Sequence, residues 1–472
     1  MFLASAVTLF AGFLYSMYTT RYLGTEQYGV LSFSLAFTSI FLVFMDFGLG
    51  QRTVREVARN RSLANKYFGN ILMAKFFLVA CTFAATVIVV HLFGYPDSTI
   101  EIIYIMTMYT IAYSFNGTYV AFFQAFERME YPAIGTIINN ALMLIGALIV
   151  IQLHLNAIAF ALLYLFSALV VLAFSIVMTY YQGLRPKAEL DLAFLRPAFK
   201  EALPFGTTSL LIMLYTYLDS VMLSMIKGYE AVGIYNAANR LVLTLLFIPN
   251  ILNLIVFPIM SKFYVSSHGF LMLVYRKYFK IMLILSFPLC FGVTLLADRI
   301  ILTIFGTGFT DSIPVLQILI WLLLFAFCGA SFAKLLESVN KQAVITKAST
   351  ICLIIIVVLN LSLIPRFSYL GTSIANVAAQ FVLFIIEFLA VYRLGYGIPL
   401  KSLSTDAAKV LCACLLMALF IKWMHDLNLV VLIACSAAVY FVVVYLLGVL
   451  DDEDTRLIKQ ILKPRISKGV KK

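Results

Sequence analysis

Apolar runs of about 20 residues recur from one end of this 472-residue chain to the other. As a helix, each run is long enough to cross the roughly 30 Å hydrocarbon core of a bilayer. The composition agrees, since 63% of the residues are hydrophobic and 12% are charged, whereas soluble domains carry about 25% charge. The chain is therefore predicted to be an all-α polytopic membrane protein.

About fourteen transmembrane helices are predicted. They run over about 1–20, 28–50, 68–93, 100–126, 132–153, 156–181, 203–226, 231–259, 279–298, 314–336, 343–364, 369–392, 405–424 and 429–449. The first run has no charged lead and no small-residue cleavage site, which predicts a membrane helix rather than a signal peptide. The basic stretch 51–66 is expected to form a short amphipathic helix on the lipid headgroups. Pro249 and Pro258 are expected to break or kink the eighth span.

The distribution of basic residues predicts the orientation. With the N-terminus inside, 26 of the 34 lysines and arginines fall in inner loops and the tail. The remaining eight lie in outer loops (Arg21, Lys227, Arg299, Arg366, Lys422) or within spans (Lys75, Arg240, Lys334). This bias follows the positive-inside rule and predicts that both termini are cytoplasmic. It also explains the net charge of +12 without a nucleic-acid partner.

No motif for a cofactor or a metal is present. The seven cysteines all lie inside apolar runs, and the four histidines have no carboxylate or thiol at ligand spacing. The predicted outer loops are short, the longest running over about 299–313, which leaves little room for a catalytic domain. The sequence therefore predicts a protein that is not an enzyme and holds neither a cofactor nor a metal.

Charged residues inside spans are the first candidates for a functional site, because each costs a few kcal/mol or more and usually faces a cavity or a partner. Asp219 in the seventh span and Arg240 in the eighth both lie roughly 10–15 Å below the outer surface. They can form an ion pair that holds the two helices together, or line a transport cavity. The residues leave both alternatives open.

The other charges in or near spans are also open to two interpretations. Lys75 lies near a cytoplasmic end, where a lysine can reach the headgroups or face a cavity. Arg21, at the outer mouth of the first span, can be an interface anchor or a cavity cation. Lys334 and Glu337 are expected to form an ion pair at a helix end. Two acidic residues near cytoplasmic ends are weaker candidates: Asp46 and Glu387.

The fourth span carries a polar and aromatic face. Tyr109, Tyr113 and Asn116 follow i, i+4 and i+3 spacing and so share one side of a helix. Such a face can stack on sugars, and it can equally pack against a neighbouring helix.

A heptapeptide near the N-terminus recurs at mid-chain. Residues 24–30 (GTEQYGV) and residues 228–234 (GYEAVGI) share the pattern G-x-E-x-x-G-(V/I) at an offset of 204. The repeat predicts a duplicated chain. Because the offset relates spans that are six apart, the two copies are expected to have the same orientation.

Short motifs occur in a fixed order along nearly the whole chain. They are Arg21-Tyr-Leu-Gly, Asp46-Phe-Gly-Leu, Leu203-Pro-Phe-Gly, Asp219-Ser-Val-Met-Leu, the stretch from Val232 to Arg240, Pro258-Ile-Met-Ser, Ile304-Phe-Gly, Leu361-Ser-Leu-Ile-Pro and Leu370-Gly-Thr. Together they resemble the O-antigen-type polysaccharide flippases of the multidrug/oligosaccharidyl-lipid/polysaccharide exporter superfamily. The resemblance implies a two-lobed, all-helical transporter with six spans per lobe, a central cavity and two extra C-terminal helices.

The implied organisation follows the predicted spans. It comprises an N-terminal lobe (1–181), a cytoplasmic linker (182–202), a C-terminal lobe (203–394), two additional helices (395–450) and a cytoplasmic tail (451–472).

The function implied by the resemblance is movement of a lipid-linked oligosaccharide from the cytoplasmic to the outer leaflet by alternating access. A phosphate cannot cross hydrocarbon alone, so cations in a cavity are expected to shield it, with Arg240 as the first candidate and Arg21 and Lys75 beside it. The expected partners are the lipid-linked oligosaccharide, membrane lipids and other glycan-assembly proteins. Two alternatives remain: an ion-coupled drug or metabolite antiporter with Asp219 as the coupling carboxylate, and a membrane glycan polymerase or ligase.

Overall fold

The structure, a computed structural model, describes residues 2–183, 190–397 and 400–449, and the side chains of 10–183, 190–397 and 404–449. The predicted tail at 451–472 and part of the predicted linker, 184–189, lie outside the described residues. The described chain is almost entirely helical. Its α-helices are α1 (Phe2–Asp46), α2 (Leu49–Arg59), α3 (Ala64–Leu92), α4 (Asp97–Ala125), α5 (Glu130–Gln152), α6 (Ala157–Tyr181), α7 (Leu192–Lys227), α8 (Tyr229–Leu245), α9 (Phe247–Ser266), α10 (His268–Ile304), α11 (Ser312–Leu319), α12 (Leu322–Ser338), α13 (Gln342–Arg393), α14 (Leu400–Trp423) and α15 (Leu429–Leu446).

Eleven helical stretches within the described residues are long and apolar enough to cross a membrane. Two of the longest, α1 with 45 residues and α13 with 52, bend at a residue with positive φ, Gly24 in α1 and Ser368 in α13. At about 1.5 Å per residue, each is twice as long as one crossing requires. Within the described residues, helix covers most of each predicted span, including the fourth, which α4 covers, with interruptions at Leu246 in the eighth and at Ile320 and Trp321 in the tenth. The all-α polytopic fold is confirmed, and the number of crossings stays a prediction.

Two helix boundaries have local causes. The predicted break in the eighth span lies between α8 and α9, because Pro249 has no N–H to donate to the carbonyl of Leu245.

α7 begins at Leu192, inside the predicted linker rather than at 203. There the Asp191 side chain accepts a hydrogen bond from the Phe194 N–H at 3.0 Å and caps the helix. This hydrogen bond and the ammonium of Lys66, 3.1 Å away, lower the pKa of Asp191.

The chain divides into two compact units that do not follow chain order. The first contains the described residues up to Ala237 together with Ile304–Phe309 and Val357–Thr372. The second contains Ala238–Thr303, Thr310–Ile356 and the described residues from Ser373 onward. The lobe boundaries predicted from the sequence stay predictions.

The first unit has two apolar clusters. One joins α1, α4, α5 and α6 around Met106, Ala147 and Phe160, which are fully buried. The other joins α2, α3, α4 and α7 around Phe68, Phe122 and Ala202. The second cluster fixes four helices at the same end of the unit.

The repeated heptapeptide adopts the same backbone conformation in both copies. Gly24 has φ 71° and ψ −178°, and Gly228 has φ 86° and ψ −177°. This region of backbone space is essentially restricted to glycine. The duplication seen in the sequence is therefore also a duplication of local structure.

The two copies pack against each other in the first unit. A Cβ atom on Gly29 would overlap the carbonyl oxygen of Tyr229, and a Cβ on Gly233 would overlap the carbonyl oxygen of Thr25. Each copy thus inserts its second glycine against the backbone of the other. Helices approach this closely only where a glycine removes the side chain.

The alanine substitution Gly233→Ala is expected to destabilise the protein by roughly 1–3 kcal/mol or more, because the added methyl group meets backbone rather than a movable side chain. Thermal unfolding of the purified protein in detergent measures the effect. Gly12→Ala is the matched control, since a Cβ there has no neighbour within 4 Å and alanine favours the helix. Equal unfolding midpoints for the two variants would show that the two copies of the repeat do not pack tightly at Gly233.

Candidate functional site

A cavity of about 260 Å³ lies in the first unit, where the end of α1 meets α2, α3, α4 and α7. Its lining combines apolar side chains with a charged and polar set. The charged and polar members are Asp46, Gln51, Lys75, Tyr113, Ser114, Gln124 and Ser209.

Lys75 is the cation of this cavity. Its Nζ lies 2.8 Å from Asp46 Oδ1, 2.7 Å from the carbonyl oxygen of Ser114 and 2.8 Å from Thr118 Oγ1. These three partners match the three donors of an ammonium group. The Lys75 side chain is 1% exposed, so it does not extend to the headgroups, which was one of its two predicted roles. Its partners instead stabilise a charge that would be costly to bury alone.

Asp46 joins the ion pair to the start of the next helix. Its Oδ1 contacts Lys75, and its Oδ2 accepts a hydrogen bond from the Gly50 N–H at 3.1 Å, in the first turn of α2. Phe47 and Gly48 have φ of 47° and 80°, which turns the chain sharply enough for this contact. The Asp46 side chain is 30% exposed and lines the cavity. The cavity therefore presents the carboxylate in front of the ammonium.

The wall formed by α2 is fixed to α7 by charge. Arg52 contacts Glu201 through Nε at 3.4 Å and Nη2 at 3.3 Å, and donates to the Tyr67 hydroxyl at 3.1 Å. Arg55 reaches the same Glu201 oxygen at 3.3 Å. The predicted amphipathic helix is confirmed, but its buried side, which includes Arg52 and Val57, packs on protein rather than on headgroups.

α2 and α7 also bound the cavity where they approach α1 most closely. A Cβ on Gly206 would lie 2.8 Å from the carbonyl oxygen of Phe47, at the turn after α1. Ser209 and Met213, one and two turns further along α7, then line the cavity.

One residue of the predicted polar and aromatic face of α4 reaches the cavity. Tyr113 lines it, and its ring centroid is 6.0 Å from that of Tyr109. Tyr109 in turn makes an edge contact with Tyr164 of α6 at 5.3 Å. Asn116 turns to α6, where its Oδ1 accepts a hydrogen bond from Ser175 Oγ at 2.7 Å. The predicted face is therefore divided between the cavity and a helix contact.

The two other predicted cations do not line this cavity. Arg21 is exposed, and its Nε lies 3.7 Å from the place of a Cβ on Gly306. Arg240 is exposed and belongs to the second unit. The structure thus brings together Lys75 and Tyr113 from the predicted set.

Asp219 lies elsewhere in the first unit and is buried. Its Oδ1 accepts a hydrogen bond from Asn360 Nδ2 at 2.6 Å, and its Oδ2 accepts one from the Tyr235 hydroxyl at 3.3 Å. In the second unit, Lys334 and Glu337 form the predicted ion pair at 2.6 Å.

Sequence reasoning gave Asp46 little weight and did not single out Gln51 or Glu201. One signal was available for Asp46. Asp46 stands directly before Phe47-Gly48, a turn that is followed by a basic helix. Lys75 is the next charged residue inside a predicted span.

Removing the carboxylate of Glu201 is expected to destabilise the protein, because Arg52 is 8% exposed and would lose its anionic partner. For Glu201→Gln we expect a loss of about 1–2 kcal/mol and a lower midpoint of thermal unfolding in detergent. Arg59→Gln is the control, since it removes an exposed pair with Glu56 worth under about 1 kcal/mol. Equal unfolding midpoints for the two variants would contradict a stabilising contact between Arg52 and Glu201.

Comparison with known proteins agrees with the fold. The family described as polysaccharide biosynthesis protein matches residues 1–264. An uncharacterized membrane protein of Methanocaldococcus jannaschii is 26% identical over 448 residues, which cover 88% of this chain and 87% of that protein. The lipopolysaccharide biosynthesis protein WzxC of Escherichia coli K12 is 22% identical over 327 residues, 67% of this chain and 64% of that protein.

The fold is similar to that of the lipid II flippase MurJ in an inward closed conformation. The TM-score is 0.73 at 15% identity, with 97% of this chain and 99% of that chain covered. At this identity the similarity concerns the fold alone. Because the family match extends over more than half of the sequence, the chain belongs to the polysaccharide biosynthesis protein family.

Proposed function

We propose that this protein is a flippase that moves a polyprenyl-phosphate- or diphosphate-linked oligosaccharide from the cytoplasmic to the outer leaflet of the cell membrane by alternating access. The observation that supports it is a mainly apolar cavity whose lining includes a buried cation, Lys75, and several polar side chains. A phosphate needs such a cavity to enter hydrocarbon, while the polyprenyl tail stays in the bilayer.

The size of the cavity favours the phosphate end of the substrate. About 260 Å³ is below the range of roughly 300–1,000 Å³ for small-molecule pockets, so a complete oligosaccharide does not fit. The amides of Gln51 and Gln124 and the hydroxyl of Ser209 add hydrogen-bonding groups around the cation. The ring of Tyr113 is available to the first sugar, and Tyr109 supports that ring from behind.

The predicted topology supports loading from the cytoplasm. With both termini inside, the turn after α1 is cytoplasmic, and this turn lies at the cavity. Arg21 and Arg240 lie toward the outer ends of their predicted spans, and we propose them as the cations that the phosphate contacts later on its path.

The variant Lys75→Gln tests the proposal. It retains a hydrogen-bond donor for Ser114 and Thr118 but removes the charge. A hydrogen bond to a charged group is worth about 1.5–3 kcal/mol, so we expect translocation at limiting substrate to fall roughly 10- to 150-fold. The measurement uses proteoliposomes that contain a polyprenyl-diphosphate oligosaccharide, with an impermeant glycosidase outside to cleave each glycan that arrives.

Lys334→Gln is the control, because it also breaks a lysine–carboxylate pair, here between Lys334 and Glu337 of one helix in the second unit. Its translocation rate is expected to stay within about twofold of the wild type. Arg240→Ala is expected to lose translocation while it remains in the membrane. Normal rates for both Lys75→Gln and Arg240→Ala would contradict the proposed cation path.

An ion-coupled antiporter of the same superfamily is the second candidate. The observation that favours it is the buried carboxylate of Asp219, held by Asn360 and Tyr235. The Oδ1 atom of Asn360 is buried without a hydrogen-bond partner. A carboxylate in this setting can bind and release a proton or a sodium ion during a transport cycle.

For Asp219→Asn, which keeps the size and the polar contacts, we expect stimulation by a proton or sodium gradient to disappear. Binding of the lipid-linked substrate should stay unchanged. Translocation in proteoliposomes with and without each gradient measures this. Gradient stimulation that persists in Asp219→Asn would exclude Asp219 as the coupling group. Drug resistance on overexpression, without transport of the glycan lipid, would favour the antiporter.

A further inference from the structure

The ion pair at the cavity is arranged with the anion toward the open space. Asp46 is 30% exposed there, whereas Lys75 behind it is 1% exposed. An anionic ligand that enters the cavity therefore meets a like charge first. It can reach the ammonium only where the carboxylate now lies.

The remaining contacts of Lys75 do not depend on Asp46. The carbonyl of Ser114 and the hydroxyl of Thr118 belong to α4, and they hold the ammonium at 2.7 and 2.8 Å. The cation would therefore keep its place if Asp46 turned away. Asp46 is the last residue of α1 and directly precedes a turn in which Phe47 and Gly48 have left-handed backbone conformations. Its side chain therefore stands at the end of a helix rather than in the middle of one.

We propose that Asp46 is a resident counter-ion, and that the phosphate of the substrate displaces its carboxylate from Lys75. This inference rests on the proposed function and names a residue that sets the affinity and the selectivity of the same site. In the empty cavity the pair is neutral. In the loaded cavity the phosphate takes over the ammonium, and Asp46 turns to the polar edge formed by Gln51 and α2.

The exchange defines the ligand class. A ligand has to outcompete a carboxylate that is already in place at 2.8 Å. A diphosphate carries more charge and more acceptor oxygens than a carboxylate, so it can compete. Neutral lipids and singly charged carboxylates gain nothing over Asp46 and are excluded.

A purely structural role for Asp46 predicts the opposite sign. If Asp46 only keeps Lys75 paired and caps α2, its removal disorders the site and weakens anion binding. If Asp46 competes with the ligand, removal of its charge strengthens binding. The two interpretations therefore differ in direction.

The experiment measures binding of farnesyl diphosphate to the full-length protein in detergent micelles by calorimetry. Asp46→Asn is expected to bind at least about tenfold more tightly than the wild type, because one like charge is removed at contact distance. Asp46→Ser is the second variant, since serine also accepts a hydrogen bond at a helix start and carries no charge.

Lys75→Gln is expected to bind at least about tenfold more weakly, with or without Asp46→Asn. Asp311→Asn, which removes an exposed carboxylate in the second unit, controls for total charge and should bind as the wild type does.

Each outcome decides a separate point. Tighter binding by either folded Asp46 variant, together with weaker binding by Lys75→Gln, supports the exchange. Weaker binding by Lys75→Gln without a gain in either Asp46 variant overturns the exchange and leaves the proposed function intact. Unchanged binding by Lys75→Gln contradicts the phosphate site itself and therefore also the proposed function.

Discussion

An ammonium group among apolar helices requires oxygen partners, and the arrangement around Lys75 follows from that requirement. Its three partners come from the end of α1 and from two successive turns of α4. A single side chain of α3 thus joins three helices, because a buried charge without partners would cost several kcal/mol. Asp46 extends the network to α2, and Arg52 and Glu201 extend the connection from α2 to α7. The cavity lies beside these contacts, with Asp46 and Lys75 in its lining.

The repeated glycine motif serves a different purpose, namely the close approach of two helix backbones. Gly29 and Gly233 each remove a side chain at the place where the backbone of the other copy passes. The duplicated sequence is therefore matched by a reciprocal contact, in which each copy provides both the glycine and the carbonyl that meets the other glycine. A change in one copy alters the contact of both, which ties the two halves of the repeat to each other.

What could be predicted from the sequence depended on whether the cause was local. Runs of apolar residues and single prolines act within a few residues, so the helices and the break before Pro249 could be predicted. The Lys334–Glu337 pair is also local, since the residues are one turn apart. Lys75 and Asp46 are 29 residues apart, and Asp219 and Asn360 are 141 apart. Only the packing of helices brings such pairs together. On α4, three residues of helix place Asn116 about 60° from Tyr113, which is enough for one to face Ser175 and the other the cavity.

A neutral pair at the cavity also bears on selectivity among the lipids of the inner leaflet. The predicted inner loops carry most of the basic residues, so anionic phospholipids are expected to be concentrated around them. An unpaired lysine in an open cavity would bind those headgroups as readily as a rare substrate. With Asp46 in front of Lys75, a single phosphodiester charge gains little by replacing the carboxylate, whereas a diphosphate adds a second charge and further acceptor oxygens. Discrimination of this kind comes from the cost imposed on the wrong ligand, in addition to the contacts offered to the right one. The same carboxylate would also speed release, because it returns to the ammonium as the substrate leaves.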